Sequence, residues 1–134
     1  MRAINKNAKK VMDALTAKCE HLGDHDKFHT EGPFMDVVVE CIDGCDFGPM
    51  FSVAHYYEQN GDLMRDPEMC FVKGGDGEYY PYYYRLDGLG IERFALTFDY
   101  EGNIEGIRKS EQGEQAVFAG KWMMSIKRQQ GLVM

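Results

Sequence analysis

The chain has 134 residues, 44% of them hydrophobic, and a formal charge of −7. This length and apolar content predict one domain over residues 1–134 that buries a core without help from disulfides or metal. No stretch approaches the roughly 18 apolar residues of a membrane span, and the N-terminal residues lack the apolar run of a signal peptide. We therefore expect a cytoplasmic protein without a membrane partner, in which Cys19, Cys41, Cys45 and Cys70 are reduced thiols.

The negative charge is concentrated in the middle of the chain. Residues 31–106 hold 16 acidic and 4 basic residues, whereas residues 1–30 and 107–134 each carry a small positive excess. A segment of this sign repels phosphate backbones, so we expect no nucleic-acid partner for it. The simplest explanation of the charge is a set of acidic sheet edges that keep the protein soluble.

The first predicted element is an amphipathic helix over residues 3–22, which Gly23 would end. From about residue 28 to residue 100, short β-rich runs separated by turn residues predict an antiparallel meander. The predicted strands are residues 34–42, 50–58, 69–73, 79–86 and 91–99. Asn60-Gly61 is the strongest turn signal, and the other predicted turns are Asp43-Gly44, Asp76-Gly77 and Asp87-Gly88.

The last predicted element is a helix over residues 111–129, with Phe118, Trp122 and Ile126 on one apolar stripe. Terminal helices with one apolar stripe each are expected to pack on one face of the sheet and to leave the other face wet. The predicted fold class is therefore α+β: a meander of about five antiparallel strands with the N-terminal and C-terminal helices on one face.

The hairpin around Asn60-Gly61 carries the densest group of polar side chains. This candidate polar cluster consists of His55, Glu58, Asn60, Asp62, Asp66 and Glu68. If these side chains converge, carboxylates with one imidazole would suit Mg²⁺ or Mn²⁺ and could support phosphodiester hydrolysis. The same residues also fit an ordinary polar hairpin, and we assign them no catalytic role, metal or cofactor.

A second constellation is formed by Cys19, His21, His25 and His29, whose histidines are four residues apart. Gly23 and Asp24 argue against a continuous helix through them. Cys41 and Cys45 add a short thiol spacing, but zinc fingers and ribbons show two paired clusters, and a second pair is missing here. Buried thiols and surface histidines are the simpler interpretation.

Tyrosines are concentrated on two of the predicted strands. The candidate interface residues are Tyr56, Tyr57, Tyr80, Tyr82, Tyr83 and Tyr84. Because neighbouring residues of a strand point to opposite faces, about half of them are expected to lie away from the helices. Exposed tyrosines anchor protein interfaces with little loss of rotamer entropy, whereas the alternative is that they only fill the sheet.

Three segments resemble an uncharacterised bacterial domain family. They are residues 51–69, residues 82–91 around Tyr82-Tyr83-Tyr84-Arg85 and Leu89-Gly90-Ile91, and residues 122–131 from Trp122 to Gly131. The resemblance covers about residues 50–131 and leaves the N-terminal 45 residues outside. It implies a context in plasmids, conjugative elements and phages, and it carries no reaction or catalytic residues.

The favoured interpretation is a mobile-element accessory domain that binds a protein through an acidic, tyrosine-rich sheet face. Two alternatives stay open. One is a divalent-metal-dependent hydrolase or nuclease-like enzyme that uses the hairpin carboxylates, and the other is an acidic mimic of nucleic acid that inhibits a host factor. The enzyme needs His55, Glu58, Asp62 and one of Asp66 or Glu68 in a single pocket, whereas the binding module needs only an exposed tyrosine and acidic patch.

Overall fold

A meander of six antiparallel strands forms the centre of the fold, and the computed structural model describes residues 1–133 of the chain. The strands follow one another across the sheet in chain order. Two α-helices and a separate two-stranded sheet complete an α+β architecture. In chain order the elements are α1 (Lys6–Leu15), β1 (His25–Phe28), β2 (Val37–Cys45), β3 (Gly48–Gln59), β4 (Asp62–Lys73), β5 (Tyr79–Leu86), a 3-10 turn (Asp87–Leu89), β6 (Ile91–Phe94), β7 (Leu96–Phe98), β8 (Ile104–Ile107) and α2 (Lys109–Gln129).

Helix α1 is shorter than the predicted range of residues 3–22. It begins after Asn5, whose side-chain oxygen accepts a hydrogen bond from the Ala8 amide at 2.8 Å. It ends at Leu15, and the chain turns at residues 16–18 after the amide and the hydroxyl of Thr16 have both donated to the Met12 carbonyl, at 2.9 and 2.8 Å. Its buried stripe is Ala8, Val11, Met12 and Leu15.

The hairpin predicted at Asn60-Gly61 is confirmed. Strands β3 and β4 pair in antiparallel register up to Gln59 and Asp62. Asn60 and Gly61 connect them with φ angles of 53° and 85°, the left-handed conformation that a two-residue turn of this kind requires. Opposite His55, β4 holds one extra residue, and this bulge contains Asp66 and Pro67.

Other strand boundaries differ from the prediction. Strand β2 continues through Asp43-Gly44, and the chain turns afterwards at Asp46 and Phe47. The predicted strand 91–99 divides at Ala95, whose amide donates to the Tyr82 carbonyl at 2.8 Å before the chain leaves for the second sheet. Strands β1 and β8 have only 4 residues each and too short an alternation to be read from the sequence.

Both helices cover the same face of the sheet, as the sequence predicts. Inward-facing residues such as Val39, Val53 and Phe71 pack with Leu15 of α1 and Met123 of α2 in the main core. Period-two burial in the strands and a 3.6-residue stripe in the helices together account for this arrangement.

The opposite sheet face, here called the open face, is not wet along its whole length. Far from the Asn60-Gly61 turn, strands β7 and β8 fold over it and form a second core. The buried members of this second core are Met50, Cys70, Val72, Tyr82 and Leu96. The part of the open face nearer the hairpin turn has no other element of the described chain packed over it.

Helix α2 confirms the predicted C-terminal helix and begins two residues earlier than expected, at Lys109. Trp122, Met123 and Ile126 are buried as the stripe predicts, whereas Phe118 stays partly exposed at its edge. Among residues 1–133, no helix combines the length with the apolar character that crossing a membrane requires.

Candidate functional site

His55 lies away from most of the hairpin carboxylates. Its side chain is only 5% exposed and faces the helices, where its ring meets Trp122 edge-to-face at 5.4 Å between centroids. Burial lowers the pKa of His55, and the charge of Asp66 offsets this effect only in part. His55 is therefore a neutral core residue near pH 7.

The remaining members of the candidate polar cluster do not converge either. Glu58, Asn60 and Asp62 are exposed around the hairpin turn, whereas Glu68 lies further along β4 on the open face. Over the described residues 1–133, no group of three His, Cys, Asp or Glu side chains is placed to hold a metal ion. The arrangement that the hydrolase interpretation requires is thus not formed.

The constellation of Cys19, His21, His25 and His29 is dispersed in the same way. Cys19 is buried in the main core, whereas all three histidines are exposed. His29 pairs with Asp36, and this hydrogen bond raises the pKa of His29. These side chains therefore act as separate structural groups.

The candidate tyrosines divide between buried and half-buried positions. Tyr80 and Tyr82 are buried edge-to-face against Phe47 and Phe98, with centroids 5.2 and 5.4 Å apart. The prediction of exposed tyrosines is wrong for these two, because the 46–47 turn and the second sheet cover them. The half-buried ones are Tyr56, Tyr57, Tyr83 and Tyr84.

Two cross-strand ladders run over the open face where its uncovered part meets the second core. Glu68 of β4 lies opposite Arg85 of β5, which lies opposite Glu92 of β6. The second ladder consists of Cys70, Tyr83 and Phe94, each two residues along its strand from a member of the first ladder. Because residues two apart share a face, the two ladders stand side by side on one surface.

Ion pairs and hydrogen bonds join the first ladder into one network. Arg85 Nε donates to Asp87 Oδ1 at 2.7 Å, and its Nη1 lies 3.6 Å from Glu92 Oε2. Arg65 lies between Glu68 and Asp87, with N···O distances of 3.8 and 3.7 Å. We call the whole set the open-face network: Ser52, Arg65, Glu68, Tyr83, Arg85, Asp87 and Glu92.

Both ends of the open-face network finish in hydroxyl groups that donate to carboxylates. Ser52 Oγ donates to Glu68 Oε2, and Tyr83 Oη donates to Glu92 Oε2. The backbone amide of Arg65 and the Arg85 guanidinium lower the pKa of Asp87. Asp87 is therefore ionised at neutral pH, and Glu68, Asp87 and Glu92 all have hydrogen-bond or ion-pair partners that restrain their side chains.

The second ladder ends at an exposed aromatic ring, Phe94, which packs against the half-buried Tyr83. Phe94 and Tyr83 have ring centroids 5.0 Å apart, and Phe94 remains 46% exposed to solvent. Burial, followed by donation to Glu92, raises the pKa of Tyr83 to about 12. Tyr83 is thus a neutral hydrogen-bonded support that holds the exposed ring of Phe94.

This surface offers no activated nucleophile. The Ser52 hydroxyl donates to a carboxylate and has no imidazole beside it, because His55 faces the helices. Burial raises the pKa of the Cys70 thiol to about 12, so its reactive thiolate is not formed at neutral pH. Cys41 and Cys45 pack against different cores and form no paired site.

Of the candidate residues, Glu68, Tyr56 and Tyr83 lie beside the open-face network, whereas Tyr82 lies on the part of the same face that the second core covers. Sequence reasoning missed the other members of the network and Phe94. A signal was present, because Tyr83 with Arg85 and Glu92 with Phe94 are spaced two apart on neighbouring runs. Their register across the sheet could not be read, since a bulge at Tyr82 shifts β5 against β4.

Comparison with protein families gives one match over almost the whole chain. A family model described as a domain of unknown function (DUF6908) matches residues 3–132. The match takes in the N-terminal segment with α1, β1 and β2, which the resemblance noted from the sequence leaves out. No curated protein and no solved structure matches the chain.

Proposed function

The chain belongs to the family of the domain of unknown function DUF6908, and from this premise we propose that it is a protein-binding module. Its contact surface is the uncovered part of the open face. The observation that carries the proposal is Phe94, an aromatic side chain that is 46% exposed and packs at a tilt against Tyr83 beside a network of ordered arginines and carboxylates.

The chemistry of this surface fits protein recognition. Aromatic residues and arginine are enriched at the energetic centres of interfaces, where a few anchors carry most of the binding free energy. The Phe94 ring and the Arg85 guanidinium are held in place before binding, so association costs less side-chain entropy. An ordered surface of this kind favours one partner orientation over others.

Charge indicates what the partner presents. Glu40 of β2 and Glu58 of β3 are exposed on the same sheet, on the other side of the open-face network from Phe94, and form no ion pair within residues 1–133. Unpaired carboxylates attract basic side chains and speed association at low salt. We therefore assign the partner an apolar pocket for Phe94 with lysine or arginine side chains around it.

The cellular context belongs to the same proposal. The resemblance of residues 51–69 to plasmid, conjugative-element and phage proteins supports an accessory role in a mobile element. Four free cysteines, three of them buried, suit the reducing cytoplasm.

Neither alternative function has an observation of this kind in its favour. A hydrolase needs a ligand group or a nucleophile, and the hairpin carboxylates are separated as described above. A mimic of nucleic acid needs an array of free negative charges, whereas Glu68, Asp87 and Glu92 are paired with Arg65 and Arg85.

Partner capture from a lysate of the host cell tests the proposal. The tagged protein is compared with Phe94→Ala and with Phe34→Ala, a matched control whose ring is 45% exposed in the loop before β2. We expect a basic protein whose recovery falls at least tenfold with Phe94→Ala and less than twofold with Phe34→Ala. Recovery of every captured protein at wild-type levels by Phe94→Ala would overturn the proposal.

A further inference from the structure

The outer side of α2 carries a basic groove that is separate from the open face. The groove has a volume of about 630 Å³ and lies between the N-terminal segment and α2. Arg2, Lys121 and Arg128 line it, and none of its lining residues is acidic. We infer that this groove binds an acidic peptide segment of a partner protein.

The N-terminal wall of the groove is held in place by buried hydrogen bonds. Gln112 of α2 is 1% exposed, accepts the Arg2 amide at 2.7 Å and donates to the Pro81 carbonyl at 3.1 Å. The Ile4 amide donates to the Tyr79 carbonyl at 3.0 Å. These bonds fix the backbone that carries Arg2, so the groove exists before a ligand arrives.

Two glycines of α2 let this segment approach the helix closely. A Cβ at Gly120 would lie 2.6 Å from Asn5 Nδ2, and a Cβ at Gly113 would lie 3.3 Å from Arg2 Nη1. The glycines are seven residues apart and therefore share one side of the helix. They explain why helix-weakening residues stand where the N-terminal segment crosses α2.

The cations of the groove are available to a ligand. Arg2, Lys121 and Arg128 form no ion pair with any carboxylate in the described part of the chain. Lys121 and Arg128 are seven residues apart on one side of α2, which separates their backbone positions by about 10 Å. A peptide in the polyproline II conformation presents carboxylates on one side at about 9 Å when acidic residues are three positions apart, because this helix has three residues per turn.

The groove floor favours a peptide over a nucleic acid. Its other lining residues include Ala116, Val117 and Met124, which give a peptide side chain an apolar contact. None of the lining residues is aromatic, so the groove offers no ring on which a base could stack.

Selection from a phage-displayed library of random 12-residue peptides tests the inference. The full chain is the bait, and binding of the selected peptides is compared with Lys121→Glu and with Lys18→Glu. Both positions are exposed lysines without an ion pair in the described chain, and both variants change the net charge equally. Thermal unfolding checks that each variant is folded, and Lys121→Gln serves as a milder second variant.

We expect the selected peptides to be enriched in Asp and Glu and to bind Lys121→Glu at least tenfold more weakly. Lys18→Glu should change their binding less than twofold, and Phe94→Ala should leave it unchanged, which separates this groove from the open face. Peptides without acidic enrichment, or binding unaffected at Lys121, would overturn the inference. So would a 12-nucleotide single-stranded DNA that binds more tightly than the peptides and depends on Lys121.

Discussion

At the residue scale, the rings of His55 and Trp122 pack edge-to-face in the protein interior. Within the described chain, neither His55 Nε2 nor Trp122 Nε1 has a hydrogen-bond partner, although both atoms are buried. Such atoms lose their hydration without compensation. The edge-to-face packing of the two rings therefore contributes to stability against an opposing desolvation cost.

The buried position of His55 predicts a dependence of stability on pH. Below about pH 6.5, His55 is protonated in the unfolded chain but stays neutral in the folded chain, because burial lowers the pKa of its imidazole. The free energy of unfolding is therefore not reduced by His55 above about pH 6.5, and it falls as the pH drops towards the pKa of His55 in the folded chain. His55→Phe keeps a ring against Trp122, so its stability relative to wild type should rise as the pH falls from about 7 to about 5.

Thermal unfolding midpoints at several pH values measure this difference, and His29→Gln provides a control of opposite sign. Asp36 raises the pKa of His29. The contribution of this pair to the free energy of unfolding is therefore fully present below about pH 6.5 and is lost as the pH rises through the pKa of His29 in the folded chain. His29→Gln should therefore lose stability relative to wild type on acidification. Parallel curves for wild type and His55→Phe would contradict the description of His55 as a desolvated group.

At the element scale, the two glycines of α2 predict opposite responses to alanine. Gly113→Ala should stabilise the protein by about 1 kcal/mol through helix propensity, because the Arg2 side chain can move away from the new methyl group. Gly120→Ala should not gain this amount, because the new methyl group displaces Asn5, the N-cap residue of α1. Loss of that cap costs about 1 kcal/mol and offsets the gain in helix propensity.

Differential scanning calorimetry distinguishes the two variants. We expect the unfolding midpoint of Gly113→Ala to rise by about 4 °C and that of Gly120→Ala to stay level or fall. An equal rise for both would show that the N-terminal segment does not depend on the close approach at Gly120.

Local patterns predicted most of the elements, and tertiary contacts set the differences. The Asn60-Gly61 turn, the helix-covered face and α2 follow from turn chemistry and from apolar periodicity. Helix α1 ends at Leu15, although Cys19 and Leu22 continue its apolar spacing, so periodicity alone does not show the turn at residues 16–18. The break at Ala95 depends on a backbone bond to Tyr82 that no local pattern contains.

The candidate site was less predictable than the fold. Residue types indicated a polar hairpin and a tyrosine-rich strand, but the partners of Glu68 and Tyr83 depend on the register of three strands. Bulges in β4 and β5 change that register. Pro67 and Pro81 mark where they lie, but a proline alone does not show which residues pair across the strands on either side. The open-face network therefore became visible only in the assembled sheet.

At the scale of the whole molecule, charge separates two surfaces. The acidic middle of the sequence forms the sheet, and the basic ends meet in the groove along α2. Two surfaces of opposite sign suit a module that contacts a basic surface with its sheet and an acidic segment with its helix. Different side chains line the two proposed contact surfaces, so a substitution in one is expected to leave the other intact.

The affinity of the captured partner for the purified protein tests the central claim most directly. Isothermal titration calorimetry compares wild type with Phe94→Ala and Phe34→Ala at one salt concentration. If Phe94 anchors the interface, its truncation should cost about 2 kcal/mol, which weakens Kd roughly thirtyfold, while Phe34→Ala keeps the wild-type value. An unchanged Kd for Phe94→Ala, or an equal loss for both variants, would contradict the assignment of the open face as the binding surface.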